Sequence, residues 1–500
     1  MVRGLGALLA AILLVGTAEQ GRAFDFPDVQ KAAQELSKEQ FKEPAKIPDW
    51  LLKISYDQWR QIRFRTDKSL WRERDLPFEI QFFHPGLFYD RTVVINQVDS
   101  AGVHAVPFTP SLFEYANLDF ASKVPQDLGF AGFRIHYPIK KPEYKDEVIV
   151  FLGATYFRAL GRDQGFGASA RGISIDTALP KGEEFPFFKE FWLVRPTKKA
   201  AELAIFALAD SPSLSAAYKF VVRPGEQTTV AVDVSVYRRR PIEKLGVAPM
   251  TSMFYHGENT KRWFDDFRPE VHDSDGVLLS LANGEWLWRP IDNPERLSVA
   301  AFSAPGLRGF GLIQRDHDFD HYQDLETHQQ DRPSVWITPR GDWGNGHVEL
   351  VEIPTGADFN DNAVVSWVPE LPADSLEPLS FSYTMNWYGT DPTRPPDGRT
   401  VQTRRETGAK PTYERFIVDF EGKRLAQLKD DTVLRAVVTV GSGEKSGRIV
   451  EQLVTKNTIT GGWRLVFQVE PAGNEPVELR AFLDRGGEAL TETWTYTLVR

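Results

Sequence analysis

The chain contains no cysteine among its 500 residues. This absence excludes disulfides, thiolate metal sites and thiol nucleophiles together. Positive charge is also in short supply, because 59 Lys and Arg stand against 69 Asp and Glu, for a net charge of −10. Phosphate binding requires a positive surface, so this balance argues against a nucleic-acid-binding protein.

Long apolar runs are missing as well, and a membrane-spanning helix needs about 20 such residues. One short run, Leu5 to Val15, follows Arg3 and precedes Gly21-Arg-Ala23, whose small residues suit a signal peptidase. We predict a signal peptide over residues 1–23, with cleavage after Ala18 as an alternative, and a periplasmic mature chain without a membrane span. The leader has no twin-arginine pair, which predicts export of the unfolded chain and argues against a cofactor inserted in the cytoplasm. We therefore predict no cofactor.

Alternation of helices and strands is absent too, which argues against a parallel α/β sheet. Two helices are predicted near the start, one around Val29 to Leu36 and one after the capping box at Ser55. Beyond them the hydrophobic period becomes two, as in Val230 to Val236, where valine occupies every second position. The predicted fold is dominated by β-structure, with a large antiparallel β-sandwich.

One domain boundary is visible in the sequence. The segment Gly389-Thr-Asp-Pro-Thr-Arg-Pro-Pro-Asp-Gly398 holds three prolines and has no hydrophobic period. We predict a large β-sandwich domain over 24–388, a linker over 389–404, and a small immunoglobulin-like domain over 405–500. The last region has the number of short strand runs that an immunoglobulin-like sandwich needs.

Tryptophan is concentrated in one part of the chain, since seven of the 13 lie between residues 250 and 390. A tryptophan ring suits stacking on the C–H face of a sugar, although core packing explains many single tryptophans equally well. This region is therefore where we look first for a glycan groove. These seven are Trp263, Trp286, Trp288, Trp336, Trp343, Trp367 and Trp387.

The same region is rich in carboxylates, which glycosidic cleavage uses as a proton donor and as a base or nucleophile. Asp361 lies between two asparagines, Asn360 and Asn362, whose amides are donors able to orient it. Asp273 lies in the polar segment Arg268-Pro-Glu-Val-His-Asp-Ser-Asp-Gly276. Capped turns remain the alternative for both segments.

Three other motifs are weaker indications of a functional site. His317, His321 and His328 invite a metal site, but no helical period surrounds them, and a loop that hydrogen-bonds a polar ligand is the favoured interpretation. We therefore predict no metal. The glycine-rich segment 165–172 lacks the Gly-Lys-Ser/Thr ending of a phosphate loop, and Arg171 replaces the second glycine of a nucleophile elbow at Ser169.

Taken together, several long segments resemble the periplasmic glucans biosynthesis protein G/D family, and the resemblance covers nearly the whole mature chain. The plain leader favours the G branch over the D branch. The matching segments are Phe82-Phe-His-Pro-Gly86, Asp127-Leu-Gly-Phe-Ala-Gly-Phe133, Gly167-Ala-Ser-Ala-Arg-Gly-Ile-Ser-Ile-Asp-Thr177, Gly182-Glu-Glu-Phe-Pro186, Phe188-Lys-Glu-Phe-Trp192, Leu245-Gly-Val-Ala-Pro-Met-Thr-Ser-Met-Phe254, Asn283-Gly-Glu-Trp-Leu-Trp-Arg-Pro290 and Val348-Glu-Leu-Val-Glu-Ile-Pro-Thr355.

The resemblance implies a role in building the β-1,2-linked glucan backbone, with members similar to inverting β-1,2-glucanases. It implies Asp361 as the general acid and Asp273 as the base, the latter reached through a chain of waters. The segment Gly356-Ala-Asp-Phe359 departs from the more polar version of the family, so Phe359 alters the subsite next to the acid.

The sequence therefore predicts a glycoside hydrolase acting on β-1,2-glucan. The alternatives are a non-catalytic glucan-binding protein that assists a membrane glucan synthase, which would then be a partner, and a glucan transferase. The residues predicted to bind substrate are Trp286, Trp288, Glu285, Arg289, Trp343 and Arg171.

Overall fold

The structure is a computed structural model that describes residues 24–116, 118–261, 265–372, 375–441 and 443–499. The predicted signal peptide and Trp263 lie outside the described residues. Within this part of the chain the α-helices are α1 (Phe26–Lys38), α2 (Asp49–Leu52), α3 (Tyr56–Gln61), α4 (Phe319–Tyr322) and α5 (Lys423–Ala426). Short 3-10 helices cover Thr66–Lys68, Arg72–Arg74, Pro110–Leu112, Ala121–Lys123, Gln329–Asp331 and Gly443–Lys445.

Strands make up most of the regular structure. The first are β1 (Arg63–Phe64), β2 (Glu79–Phe83), β3 (Val94–Asp99), β4 (Gly102–Ala105), β5 (Phe113–Glu114), β6 (Gly132–Lys141), β7 (Tyr144–Leu152), β8 (Tyr156–Ala159), β9 (Ser169–Arg171), β10 (Ile173–Ile175), β11 (Phe187–Val194), β12 (Leu203–Asp210), β13 (Leu214–Arg223) and β14 (Thr228–Arg238). Next come β15 (Leu245–Ser252), β16 (Phe254–His256), β17 (Val271–His272), β18 (Gly276–Ser280), β19 (Trp286–Pro290), β20 (Ser298–Ser303), β21 (Gly309–Ile313), β22 (Ser334–Pro339), β23 (Gly346–Glu352), β24 (Ala363–Pro369) and β25 (Leu379–Tyr388). The last are β26 (Arg399–Thr407), β27 (Glu414–Glu421), β28 (Arg435–Val440), β29 (Gly447–Lys456), β30 (Trp463–Pro471), β31 (Val477–Arg485), β32 (Glu488–Ala489) and β33 (Thr493–Leu498).

Two large sheets contain most of these strands. The first has the order β2-β6-β7-β8-β9-β15-β24-β23-β20, with β10 beside β15. The second has the order β28-β31-β33-β19-β18-β21-β22-β25-β14-β13-β12-β11-β3-β4, with β32 beside β31. The smaller sheets are β26-β27-β30-β29, β1-β5 and β16-β17. Among the described strands the pairing is antiparallel apart from β3 with β11 and β19 with β33, so the prediction of a mostly antiparallel β-protein is confirmed.

The predicted period of two is confirmed in β14, where the four valines from Val230 to Val236 are at most 2% exposed. They share one core with Phe133 of β6 and Val365 of β24, which belong to the other large sheet. Burial of alternate side chains from two sheets is what stabilises such a core.

The two predicted helices are also confirmed. Asp25 and Asp28 form a capping box at the start of α1, and Val29 and Ala33 are buried on one face of that helix. Ser55 caps α3 by accepting a hydrogen bond from the backbone N–H of Gln58. Capping satisfies backbone donors that a helix start otherwise leaves unpaired.

The C-terminal strands continue into the second large sheet, because β33 pairs with β19 and brings Trp494 beside Trp288. A second core combines residues of both parts of the chain, among them Phe416 and Leu278. Residues 399–404 of the predicted linker lie in β26. The boundaries at 388 and 405 and the sandwich and immunoglobulin-like details stay predictions. Among the described residues no helix is both long enough and apolar enough to cross a bilayer.

Candidate functional site

The site begins with Thr251 and Ser169, which lie on neighbouring strands of the first large sheet, and with Asp361, which precedes a third strand. Thr251 of β15 lies directly opposite Ser169 of β9. Ser252 lies opposite Ala363, the first residue of β24, so Asp361 comes just before that strand. The hydroxyl of Thr251 donates a 2.8 Å hydrogen bond to Asp361 Oδ2, and the Ser169 hydroxyl donates a longer one of 3.5 Å. The sheet register therefore brings both hydroxyls to one carboxylate.

Arg158 extends this row onto the next strand, β8. Its Nε donates a 2.6 Å hydrogen bond to Ser169 Oγ, and its Nη2 lies 3.9 Å from Asp361 Oδ2. The Asp361 side chain retains 24% exposure. The carboxylate is thus held by protein donors on one side and reachable from solvent on the other.

The Asp361 and Asp273 segments meet at Ser252. The Ser252 carbonyl accepts a 3.0 Å hydrogen bond from the backbone N–H of Asn362, which follows Asp361. The Ser252 hydroxyl donates a 2.9 Å hydrogen bond to the hydroxyl of Ser274, which follows Asp273. One residue of β15 therefore holds both carboxylate segments in one place.

Asp273 lies deeper than Asp361, with a side chain that is 10% exposed. Burial raises the pKa of Asp273, the negative charge of Asp361 raises that pKa as well, and the positive charge of Arg332 opposes both. Arg332 Nε lies 3.6 Å from Asp273 Oδ1. Among the described residues no hydrogen-bond donor reaches this buried oxygen, so Asp273 holds an acceptor that the protein leaves unpaired.

A cavity of about 260 Å³ lies beside Arg332. The backbone N–H of Arg332 donates to the carbonyl of Gln329, and its Nη2 donates to the carbonyl of Thr327. Polar groups dominate the cavity wall, which suits a ligand rich in hydroxyls. Residues of this wall include Arg162, Gln164, His317, Gln330, Arg332 and Tyr388.

Arg171, a predicted substrate-binding residue, lies on the same sheet but is only 2% exposed. It pairs with Glu183, and its guanidinium lies over the rings of Tyr156 and Phe185. The charges of Arg171 and Asp361 both act on Tyr156, whose pKa is raised by burial. Arg171 is thus buried beside these two rings, in the same part of the sheet as Asp361.

Four other predicted substrate-binding residues lie on or next to β19, the strand that pairs with β33 of the C-terminal segment. Trp286 stacks on Trp336, and Arg315 lies 3.5 Å over the Trp288 ring. Glu285 accepts hydrogen bonds from Arg480 and Thr493, and Arg289 pairs with Glu478. Their position follows from the pairing of β19 with β33.

Trp343 lies in the main core, where it is 8% exposed. Its ring packs against those of Phe381 and Tyr383, and its Nε1 donates to the carbonyl of Ser382. Trp343 therefore packs in the core, which was the alternative to sugar stacking for each tryptophan.

Two groups of side chains have ligand atoms close enough to hold a metal: Glu270, His272 and Asp275, and Glu270, Asp316 and His321. In the first, His272 Nε2 lies 3.0 Å from Glu270 Oε2 and Nδ1 lies 3.2 Å from the Gln314 side-chain oxygen. Burial lowers the pKa of His272, but the charges of Asp275 and Glu270 outweigh this and raise the pKa to about 10. In this state His272 is a buried cation that pairs with both carboxylates.

His321 belongs to the second group, on α4. A hydrogen bond to Asp316 raises the pKa of His321 to about 9. His321, which the metal interpretation of the sequence included, thus forms an ion pair with Asp316. Nearby, His317 Nδ1 lies 2.7 Å from the carbonyl of Gln330.

Sequence reasoning missed Arg158, Thr251, Ser169 and Arg332. Thr251 and Ser169 lie within two of the segments that carry the family resemblance, and that was the available signal. Arg158 and Arg332 lie outside those segments. Their position depends on strand pairing and loop packing that no local pattern shows.

The fold and site define a β-rich protein with two candidate aspartates. Each lies near an arginine, and the negative charge of Asp361 raises the pKa of Asp273. Comparison with known proteins identifies the group. The family model described as "Periplasmic glucan biosynthesis protein, MdoG" matches residues 24–498. A relative from Ralstonia nicotianae (strain ATCC BAA-1114 / GMI1000), "Glucans biosynthesis protein G", is 45% identical over 502 residues, covering 98% of this chain and 99% of that protein.

The chain therefore belongs to the MdoG family of periplasmic glucan biosynthesis proteins, and the resemblance read from the sequence is confirmed. Membership supports a role in glucan biosynthesis.

Proposed function

We propose that this protein acts in the periplasm on the β-1,2-glucan backbone as an inverting endo-β-1,2-glucanase. The observation that carries the proposal is the double hydrogen bonding of Ser252, which brings the Asp361 and Asp273 segments together. Glycosidic cleavage needs two carboxyl groups at one site with different roles. The two aspartates differ in burial, since the Asp361 side chain is 24% exposed and the Asp273 side chain is 10% exposed.

In the proposed reaction, protonated Asp361 gives its proton to the glycosidic oxygen as the bond from that oxygen to the anomeric carbon breaks. Water attacks the anomeric carbon from the opposite face and forms the new C–O bond. The proton of that water passes through a chain of waters to Asp273. The product has the inverted anomeric configuration, and one water is consumed.

The polar environment supports these roles. Thr251 and Ser169 donate the hydrogen bonds that orient Asp361. The exposed part of the carboxyl group is then left for the sugar. Burial raises the pKa of Asp273, which makes that carboxylate a stronger base once it is ionised. The positive charge of Arg332 next to Asp273 favours the ionised form that a base needs.

The test is incubation with linear β-1,2-glucan. We expect new reducing ends from the unaltered protein, with the inverted anomer formed first by NMR, and none from Asp361→Asn or Asp273→Asn. Asp430→Asn, at an exposed aspartate of the C-terminal segment, is the matched control. Circular dichroism and glucan binding show that the inactive variants are folded.

Glucan binding without products at any pH would favour the assembly role beside a membrane synthase. Products of altered length without new reducing ends would favour a transferase. Either result would contradict the hydrolase.

A further inference from the structure

Three separate segments of the protein converge on one guanidinium. Arg268 Nη2 lies 2.7 Å from Asp266 Oδ2 and 2.8 Å from Asp358 Oδ2, and its Nη1 lies 3.1 Å from Asp324 Oδ2. The Arg268 side chain is 13% exposed. We call these four residues the arginine cluster. A partly buried guanidinium with three carboxylate partners is a rigid connection between its segments.

Each of these segments exposes a large apolar side chain next to a clustered carboxylate. Phe267 is 80% exposed, Leu325 is 79% exposed and Phe359 is 82% exposed. We call these three the apolar triad. Single exposed apolar residues are common on protein surfaces, but grouped ones mark a binding surface. Among the described residues, the other large apolar side chains at least this exposed are Phe88, Val433 and Ile459.

The triad is connected to the proposed catalytic residues along the chain. Phe359 precedes Asp361 by two residues, and Phe267 precedes Asp273 by six. The pair of Arg268 with Asp358 joins these two segments a second time, beyond the contacts at Ser252. Phe267 and Phe359 are thus held on the two segments that lead to the site, and Leu325 is tied to them through the pair of Asp324 with Arg268.

We propose that the apolar triad is a glucan-binding surface, where glucosyl residues next to the cleaved bond place their C–H faces on Phe267 and Phe359. This inference rests on the proposed function and deepens it. Asp358 precedes Phe359 in the chain, and its carboxylate is 39% exposed, which leaves it able to accept hydrogen bonds from sugar hydroxyls. A surface with flat apolar groups next to acceptors matches the two-sided chemistry of a pyranose.

The area of the triad favours a sugar over a protein partner. Three such side chains offer at most about 600 Å², since a fully buried aromatic ring contributes roughly 200 Å². A stable protein interface needs about 800 Å² on each side. The arginine cluster also holds the surface in place before binding, which lowers the entropic cost for a small ligand.

The experiment measures the Kd for linear β-1,2-glucan by calorimetry in the Asp361→Asn protein, where substrate is not consumed. We expect Phe267→Ala and Phe359→Ala to raise Kd about threefold to tenfold each. Phe88→Ala, at an equally exposed ring outside the triad, is the control and leaves Kd unchanged. Arg268→Gln releases the segments, so Phe359→Ala costs less affinity in that background.

Light scattering at the same concentrations gives the mass of each variant. Unchanged Kd in both phenylalanine variants overturns the inference, and a change of oligomeric state with unchanged Kd assigns the triad to self-association instead. If Asp361→Asn binds no glucan and the unaltered protein releases no products, the proposed function itself has failed. Binding and cleavage that persist while the triad variants have no effect overturn only this inference.

Discussion

Thr251 Oγ1 lies 2.8 Å from Asp361 Oδ2 and donates a hydrogen bond to that oxygen. The contact joins an internal strand of the first large sheet to the loop that carries the proposed acid. Because β15 is paired on both sides, the hydroxyl has a rigid support. The direction of the Asp361 carboxylate is thus set by a neighbouring strand and not by its own loop.

Removal of this hydroxyl should slow the reaction. We expect Thr251→Val to lower kcat about tenfold with little change in KM, because a hydrogen bond that orients the acid is worth about 0.5 to 1.5 kcal/mol and 1.4 kcal/mol is about tenfold in rate. Steady-state kinetics on linear β-1,2-glucan measure both constants. Thr251→Ser keeps the hydroxyl and should retain most activity; equal rates for Val and Ser would show that the contact does not orient Asp361.

The acidic side of the pH profile should depend on Asp273. A base must be ionised, and the pKa of Asp273 is raised above 3.8 by burial, so kcat/KM should fall with decreasing pH already above that value. Arg332 lowers this pKa, so Arg332→Gln should move the acidic limb to higher pH. Arg424→Gln, at an exposed arginine paired with Glu488, is the control and should leave the limb in place. A limb that stays fixed in Arg332→Gln would assign it to another group.

His272 should stabilise the fold as a buried cation. Its pKa is raised from 6.5 to about 10, so its contribution is fully present below pH 6.5 and is lost as the pH rises through 10. His272→Gln should lower the free energy of unfolding by about 3 kcal/mol at neutral pH, since it leaves buried carboxylates without their partner. The difference from the unaltered protein should shrink above pH 10.

Denaturant unfolding at a series of pH values measures this difference. His104→Gln, at a half-exposed histidine beside Asp99, should have little effect at any pH. A His272→Gln deficit that is constant from pH 7 to pH 11 would contradict a charged imidazole.

Glu352 should weaken the fold at high pH. Burial raises the pKa of Glu352 from 4.5 to about 7, so the stability of its protonated form is fully present below pH 4.5 and is lost as the pH rises through 7. Glu352→Gln should therefore raise the free energy of unfolding by about 1 to 3 kcal/mol at pH 8 and by much less at pH 5. The hydrogen bonds from Asp292 and Ser298 identify the contacts that the amide has to replace.

Thermal melts at the two pH values compare the variant with the unaltered protein. Glu349→Gln is the matched control, because Lys244 pairs with that neighbouring carboxylate, whose pKa is lowered, and its loss should be destabilising at pH 8. An equal change at pH 5 and pH 8 in Glu352→Gln would show that Glu352 is not protonated near neutral pH.

Local patterns predicted the elements well. The valines of β14, the capping box at Ser55 and the helix around Val29 are visible because burial and capping depend on residues close together in sequence. The polar segments around Asp361 and Asp273 made both residues candidates, and the resemblance assigned them the roles of acid and base. Residue type alone could not tell whether Trp286 and Trp288 stack on a sugar or pack against protein, because a tryptophan ring uses the same apolar face for both.

The amino-acid sequence by itself determined the β-rich class and the family, because alternating hydrophobic positions and long ordered motifs are properties of the chain. Only the tertiary structure decided which polar residues share a site. Strand pairing places Arg158, Ser169 and Thr251 in one row, and Ser252 connects two segments that are distant in sequence. The reason is physical: backbone hydrogen bonds between strands fix which side chains become neighbours, and that register is decided by the burial of the whole sheet.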